Sequence, residues 1–352
     1  MHRATVSKRV NPLRLVCLVL AAAAALVACS SSSSSSSSAS GSGSGSAKKT
    51  TVKMAVASIT VLPTLPLQIA INNGIFAKHG IDLKVQLTGS GSKSLAAQLA
   101  GQVDITANFY EQTIQTAALG KHITSFVELT TMPGYALLVD KKGAGKINSV
   151  ADLVGKKVGV SAPGSAGAFF VDYLLSKAGK KPGSASFVGI GIGASAVAAV
   201  EHGTVDAAVL YDPDLSQVLS RDSSAHILLD ARKPANAQPI FGESSYPSMS
   251  LYGDSSWVTS HPQIVQELTA SVTEAEQYLH STPPAQIMSH LSKDSIGPDR
   301  SFFQNVLTST IPYISTDGKI DQSGADAVLR VQTAADPAVA KSKIDLPSTF
   351  VG

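Results

Sequence analysis

Serines and glycines at the starts of expected helices are the residues of this chain best placed to do chemistry, and that chemistry is anion capture. Four short loops carry them: Ser58-Ile59-Thr60-Val61-Leu62, Gly89-Ser90-Gly91-Ser92, Asn108-Phe109-Tyr110-Glu111 and Ser161-Ala162-Pro163-Gly164-Ser165. Tyr211-Asp212 lies on a repeat of the third. The first N–H groups of a helix have no intrahelical acceptor, and with serine hydroxyls beside them they can hold a carboxylate, sulfonate or phosphate-like group. Any one of these serines serves equally well as a plain N-cap, which is a common role. Their meeting at one cleft is what favours binding.

The candidate ligand-binding set is therefore Ser58, Thr60, Ser90, Ser92, Asn108, Tyr110, Glu111, Ser161, Ser165, Tyr211 and Asp212. Tyr110 and Tyr211 could sandwich a flat ligand or donate hydroxyls, or could equally be rim packing. Glu111 and Asp212 suit an amine or hydroxyl on the ligand, or close the cleft by pairing with the opposite lobe. No arginine lies in the four loops, and Lys93 is the one nearby cation. That departs from a dedicated oxyanion site and disfavours nitrate and sulfate. Val61, Leu62 and Phe109 suit a ligand with an apolar or aromatic part.

These loops need strands and helices to aim them. Val52–Val56 reads as a buried strand, and Leu67, Ile71 and Ile75 recur at helical spacing. Ile81, Leu83, Val85 and Leu87 alternate as in a second strand, and a short helix is expected over Lys93–Ala100. Strands alternating this closely with helices predict an α/β fold with mostly parallel sheets and crossover helices. The unit then repeats: Thr88–Asp104 can be laid without gaps on Ile190–Asp206. Gly89, Gly91, Ala96, Ala97, Gly101, Val103 and Asp104 fall on Gly191, Gly193, Ala198, Ala199, Gly203, Val205 and Asp206. Such duplication predicts two similar lobes. The second contains strands at Tyr135–Val139 and Lys157–Ser161 and a helix over Ala168–Ala178. A further strand is expected over Ser248–Val258, and Ile264, Leu268 and Val272 share one face of a later helix. In open α/β sheets ligands bind beyond the carboxyl ends of the strands, where all four loops fall.

The organisation expected is lobe 1 over 50–133, lobe 2 over 134–235, and a return to lobe 1 with C-terminal helices over 236–352. Before them, Arg3, Lys8, Arg9 and Arg14 precede an apolar run from Leu15 to Ala28, too short for a comfortable membrane span. The run ends Leu26-Val27-Ala28-Cys29, like a bacterial lipobox, which predicts a lipoprotein signal peptide over 1–28 and a lipid on Cys29. The Ser/Gly tract over 29–49 is expected to be a disordered tether. Its ~18 central residues reach roughly 23 Å.

Lys and Arg number 28 against 25 Asp and Glu; without the four leader cations the balance is −1, so no basic excess points to nucleic acid. Cys17 and Cys29 are the two cysteines, so no thiol follows the predicted cleavage site except the lipidated one. That excludes disulfides, cysteine nucleophiles and Cys-based metal sites from the mature part.

Lys156-Lys157-Val158-Gly159-Val160-Ser161-Ala162-Pro163-Gly164-Ser165 resembles the second-lobe opening of nitrate/sulfonate/taurine-type binding proteins of ABC transporters, a superfamily that includes thiamine-precursor binders. So do Ala194–Ala207, read as Ala-Ser-Ala-Val-Ala-Ala-Val-Glu-His-Gly-Thr-Val-Asp-Ala, and Ile69–Leu83, which includes Asn72-Asn73-Gly74-Ile75-Phe76. The likeness covers roughly residues 51 to 275. It implies a two-lobed type II periplasmic-binding-protein fold with a small-molecule ligand held between the lobes. It also implies an ABC permease and its ATPase as partners. With the leader and lipobox, an extracytoplasmic, lipid-anchored location is expected, and the protein is expected to act as a monomer without catalysis or cofactor.

Enzyme readings fare worse. Gly189-x-Gly191-x-x-Ala194 partly matches a dinucleotide fingerprint, but its glycines recur in the first lobe where no fingerprint completes. Ser165 in Pro163-Gly164-Ser165-Ala166-Gly167 lacks the first glycine of a nucleophile elbow, and the eight histidines show neither partner nor metal spacing. Some relatives of the thiamine-precursor group are enzymes that depend on cysteine-rich motifs, and the mature part has no such cysteines. A binding protein that feeds a sensor rather than a permease stays open on sequence.

Overall fold

Two five-stranded sheets follow from the repeat, each built to the same plan. The computed structural model describes residues 49–297 and 299–351. The signal peptide, Cys29 and the Ser/Gly tract lie outside the described residues. Among those described, no helix is long and apolar enough to cross a membrane.

The first sheet contains β1 (Thr50–Val56), β2 (Ile81–Leu87), β3 (Ile105–Phe109), β4 (Ile123–Glu128) and β10 (Met249–Asp254), in the order β2-β1-β3-β10-β4. The second contains β5 (Tyr135–Val139), β6 (Lys157–Val160), β7 (Ser186–Gly189), β8 (Ala207–Tyr211) and β9 (His226–Asp230), in the order β7-β6-β8-β5-β9. In each, three parallel strands are followed by one antiparallel strand, β10 or β5. The antiparallel strand is paired on its other side by β4 or β9.

The repeated Gly-x-Val-Asp has a physical job. Asp104 accepts the backbone N–H of Lys53 at 2.7 Å, and Asp206 accepts that of Lys157 at 2.8 Å. Each carboxylate thus fixes the register of a central strand against its neighbour. Val103 and Val205, one residue before, are buried.

Helices α1 (Leu65–Asn72), α2 (Gly91–Leu99) and α3 (Glu111–Ala118) belong to the first half of the chain. Their counterparts in the second sheet are α4 (Ala166–Lys177), α5 (Ala194–Glu201) and α6 (Asp214–Arg221). The chain crosses between the sheets after β4 and again after β9. The two crossings run side by side: Tyr246 N–H donates to the Thr131 carbonyl at 2.8 Å and Ser248 N–H to that of Thr130 at 2.9 Å. Of the later helices, α7 (Pro262–Ser281) buries Leu268, Val272, Ala275 and Leu279 and packs on α1. α8 (Arg300–Thr310) follows, and α9 (Gln322–Ala335) packs against both α3 and α4.

The strand expected over Ser248–Val258 stops at Asp254. That side chain accepts the Ser256 N–H at 2.9 Å and so caps a short helix, Ser255–Ser260. α4 starts at Ala166, two residues earlier than expected.

Candidate ligand-binding cleft

The carboxyl ends of β1, β3, β6 and β8 converge on one cavity between the sheets. Val56, Ala57, Ser58 and Val61 line it after β1, and Ala107, Asn108 and Phe109 at the end of β3. Ser161, Ser165, Ala166, Ile192 and Tyr211 close it from the second sheet. Its free volume is about 20 Å³, room for about one water, so the two halves stand nearly shut.

Two helix N-termini from opposite sheets open onto this cavity, through Gly91 of α2 and Ala166 of α4. Their two serines behave differently. Ser90 is a working N-cap whose Oγ accepts the Lys93 N–H at 3.4 Å. Ser165 sits at the same position on α4 but makes no capping bond, and its Oγ has no partner although the residue is 2% exposed. A buried hydroxyl without a partner is uncommon and costs about 1–3 kcal/mol. Facing the cavity, it is available to a bound group.

Asn108 is spent on structure. Its Nδ2 donates to the Gly91 carbonyl at 2.8 Å and to Gln112 Oε1 at 2.7 Å, and its Oδ1 accepts the Phe109 N–H at 2.9 Å. A side chain at Gly91 would put its Cβ 2.9 Å from that Oδ1, so glycine is what lets α2 begin this close to β3. Ser58 lines the cavity; its Oγ accepts the Thr60 N–H at 3.2 Å and pairs with Thr60 Oγ1 at 3.0 Å. Thr60, Ser90 and Ser92 are not on the cavity wall, although Ser92 Oγ lies 3.5 Å from Ser90 Oγ. Ser161 is half-buried on the wall.

Three expected ligand contacts point elsewhere. Tyr110 is 0% exposed; its hydroxyl bonds Thr349 Oγ1 at 2.7 Å and its ring meets Phe350 edge-on at 6.0 Å, so it anchors the C-terminal segment. The reason is the two-residue period of a strand. The repeat aligns β3 (Ile105–Phe109) with β8 (Ala207–Tyr211), so Tyr211 matches Phe109, and the next side chain turns away. The facing aromatic pair is therefore Phe109 and Tyr211, with centroids 6.2 Å apart.

Glu111 is buried too. Its Oε2 accepts from Tyr246 Oη at 3.4 Å and Gln332 Nε2 at 3.2 Å, while Oε1 has no partner. Burial pushes its carboxyl up to about 8. Asp212 accepts from Ser216 and from Arg232 Nη1 at 2.7 Å. Arg232 is also held by Asp230 at 2.9 Å, so this guanidinium is engaged by two carboxylates.

Met249 and Ile192 are wall residues that sequence reasoning missed. Met249 opens β10, whose antiparallel course pairs it with Phe109 at the cavity edge. A predicted reversal of that strand would have found it. The lining is otherwise apolar, suited to a small ligand with an anionic or polar head and an apolar body.

A family model described as NMT1/THI5 like matches residues 64–286. The solved structure of a protein from Bordetella bronchiseptica RB50 is 29% identical and covers 87% of this chain and 95% of its own, with a TM-score of 0.82. The alkanesulfonate-binding protein SsuA from Xanthomonas axonopodis pv. citri, solved bound to MOPS, is 17% identical. It covers 87% of this chain and 100% of its own, with a TM-score of 0.67. A 4-amino-5-hydroxymethyl-2-methylpyrimidine phosphate synthase of Schizosaccharomyces pombe is 29% identical over 145 residues, 41% of this chain. The match spans 40% of that synthase. The fold is the two-lobed one of the periplasmic binding proteins, with one sheet in each lobe.

Proposed function

We propose, since the chain belongs to the NMT1/THI5 like family, that it is a solute-binding protein that captures a small organic anion, such as a sulfonate or carboxylate, between its lobes. One observation carries this reading: the N-termini of α2 and α4 enter a single cavity from opposite lobes, and there the buried Ser165 Oγ has no protein partner. Partial positive charge at both helix ends favours a negative group, and bonds to both lobes hold the cleft shut. Arg232 supplies no free cation, which favours an organic anion over a bare inorganic one.

The lipobox at Cys29 supports a lipid anchor on the outer face of a membrane, with the domain acting as a monomer. Delivery to an ABC permease and its ATPase follows from the family's resemblance to importer components. No catalytic step is assigned to the cleft residues. The Phe109–Tyr211 pair and the apolar wall favour a second reading, an aromatic nutrient of the thiamine-precursor kind.

A thermal-shift screen against sulfonates, carboxylates, aromatic acids, amines and pyrimidines tests both. A ligand at a hundred times its Kd adds about 2.7 kcal/mol of stability. The shift should vanish in a Ser161→Ala/Ser165→Ala variant. A flat response across the panel from folded protein would count against the anion reading and the aromatic one alike.

A further inference from the structure

Beneath the second crossing lies a cavity far larger than the cleft. It holds about 470 Å³ of free space, against about 20 Å³ in the cleft, and so falls within the usual size range of small-molecule sites. Leu174, Ala178 and Leu229 wall it from the second lobe, and Pro239 and Ile240 face them from the crossing. The crossing is pinned on either side of this space. Asn236 Nδ2 donates to the Asp230 carbonyl at 2.8 Å. Further along, the Ile240 carbonyl accepts from Tyr173 Oη at 2.7 Å and from Lys177 Nζ at 2.9 Å, and the Phe241 ring stacks on Tyr173. With both ends of this stretch fixed, it cannot sink onto α4, and the space stays open.

Two charged side chains reach the wall, Asp230 and Lys177, and they differ in how far they are already used. Both Asp230 oxygens are held by Arg232 at 2.9 Å, with Lys233 3.8 Å away, so Asp230 offers no unmatched negative charge. Lys177 pairs with no carboxylate among the described residues. Its ammonium has three N–H donors, and the carbonyls of Pro239 and Ile240 take two of them, at 2.7 and 2.9 Å. One donor and a full positive charge remain beside an apolar hollow. That combination suits an anionic head on a hydrocarbon body, because a charge-assisted hydrogen bond orients the head while the wall buries the rest.

We propose that this cavity is a second ligand site, for a small monocarboxylic acid whose head meets Lys177 and whose apolar body lies between Leu174, Leu229 and Pro239. The site is separate from the cleft and does not depend on what the cleft binds. Its occupant ties α4 of the second lobe to the segment that returns to the first, next to the Asp230–Arg232–Asp212 cluster.

The test is calorimetric titration of the full chain with octanoate, octanol and octylammonium, in a Ser161→Ala/Ser165→Ala background that weakens the cleft. Octanoate should bind at one site. Octanol and octylammonium should each bind at least about tenfold more weakly, the worth of one charge-assisted hydrogen bond. Lys177→Met should weaken octanoate by the same factor, and Lys177→Arg, which keeps the charge, should retain most of the affinity. Ala178→Phe should abolish binding by filling the space. Both positions are exposed, so these variants keep the fold. No octanoate binding at millimolar concentration, or octanol bound as tightly as octanoate, would overturn the site. Undiminished octanoate affinity in Lys177→Met or in Ala178→Phe would place the acid elsewhere and overturn it equally.

Discussion

The backbone N–H of Leu62 in the first lobe donates to the carbonyl of Asp212 in the second, 3.1 Å away. Asp212 closes the cleft with its main chain, while its carboxylate is held within its own lobe by Ser216 and Arg232. With about 20 Å³ free beside this bond, a ligand of several atoms enters only when the lobes part.

Opening is readable with a single thiol. Ala166 is 4% exposed on the cavity wall, and no cysteine follows Cys29. In Ala166→Cys a maleimide should react only through the open form. A ligand at a hundred times its Kd leaves about 1% of the protein free, so labelling should slow by up to about 100-fold. Equal rates with and without ligand would show that capture does not occlude this wall.

Ser90 and Ser165 hold matching positions on α2 and α4 but should respond in opposite ways to alanine. Ser90→Ala removes a working cap and should cost about 1 kcal/mol of stability. Ser165→Ala removes an unpartnered buried hydroxyl, so stability should hold or rise. Its ligand affinity should fall about fivefold to tenfold, one hydrogen bond's worth. Calorimetric unfolding and ligand titration of both variants separate the two; a loss of stability at Ser165 equal to that at Ser90 would make Ser165 a plain cap.

The repeat made the architecture legible, because Gly101-x-Val103-Asp104 and its copy ending at Asp206 perform one strand-clamping task twice. It also held the aromatic pair that lines the cavity. The repeat matches Tyr211 with Phe109, so applying it strictly would have turned attention from Tyr110. Strand direction was not legible. Nothing local in Met249-Ser250-Leu251 tells whether β10 runs with or against β3, and only the pairing puts Met249 beside Phe109. Nor was the fate of polar groups: Ser90 and Ser165 read alike in sequence, and packing alone decides which hydroxyl is left over.

Glu111 gives stability a pH dependence of definite sign. Its carboxyl is raised by burial from an ordinary 4.5 to about 8, so the folded chain holds a proton there that the unfolded chain releases. Stability should therefore fall as pH rises from about 4.5 to about 8 and lose no more from this group above that. Glu111→Gln, which keeps an oxygen for Tyr246 and Gln332, should flatten that slope. Urea midpoints across this range compare the two; parallel slopes would mean that Glu111 does not carry the extra proton.

Arg232 should be the costliest single truncation in the second crossing. It is 17% exposed and bridges Asp212, 3% exposed, to Asp230, 10% exposed. Replacing it with alanine leaves the buried Asp212 carboxylate without a cation and Asp230 with only the exposed Lys233, 3.8 Å away, a change that typically costs about 3–5 kcal/mol. Arg232→Lys should recover only part of this, because an ammonium cannot reproduce the planar fork that spans both acids. Because Asp212 also carries the carbonyl that receives Leu62, loosening it should weaken closure. Ligand affinity should then drop in Arg232→Ala although Arg232 does not line the cavity. Denaturant unfolding measured beside ligand titration checks both parts, and a stable Arg232→Ala with parental affinity would remove this ion cluster from the closing machinery.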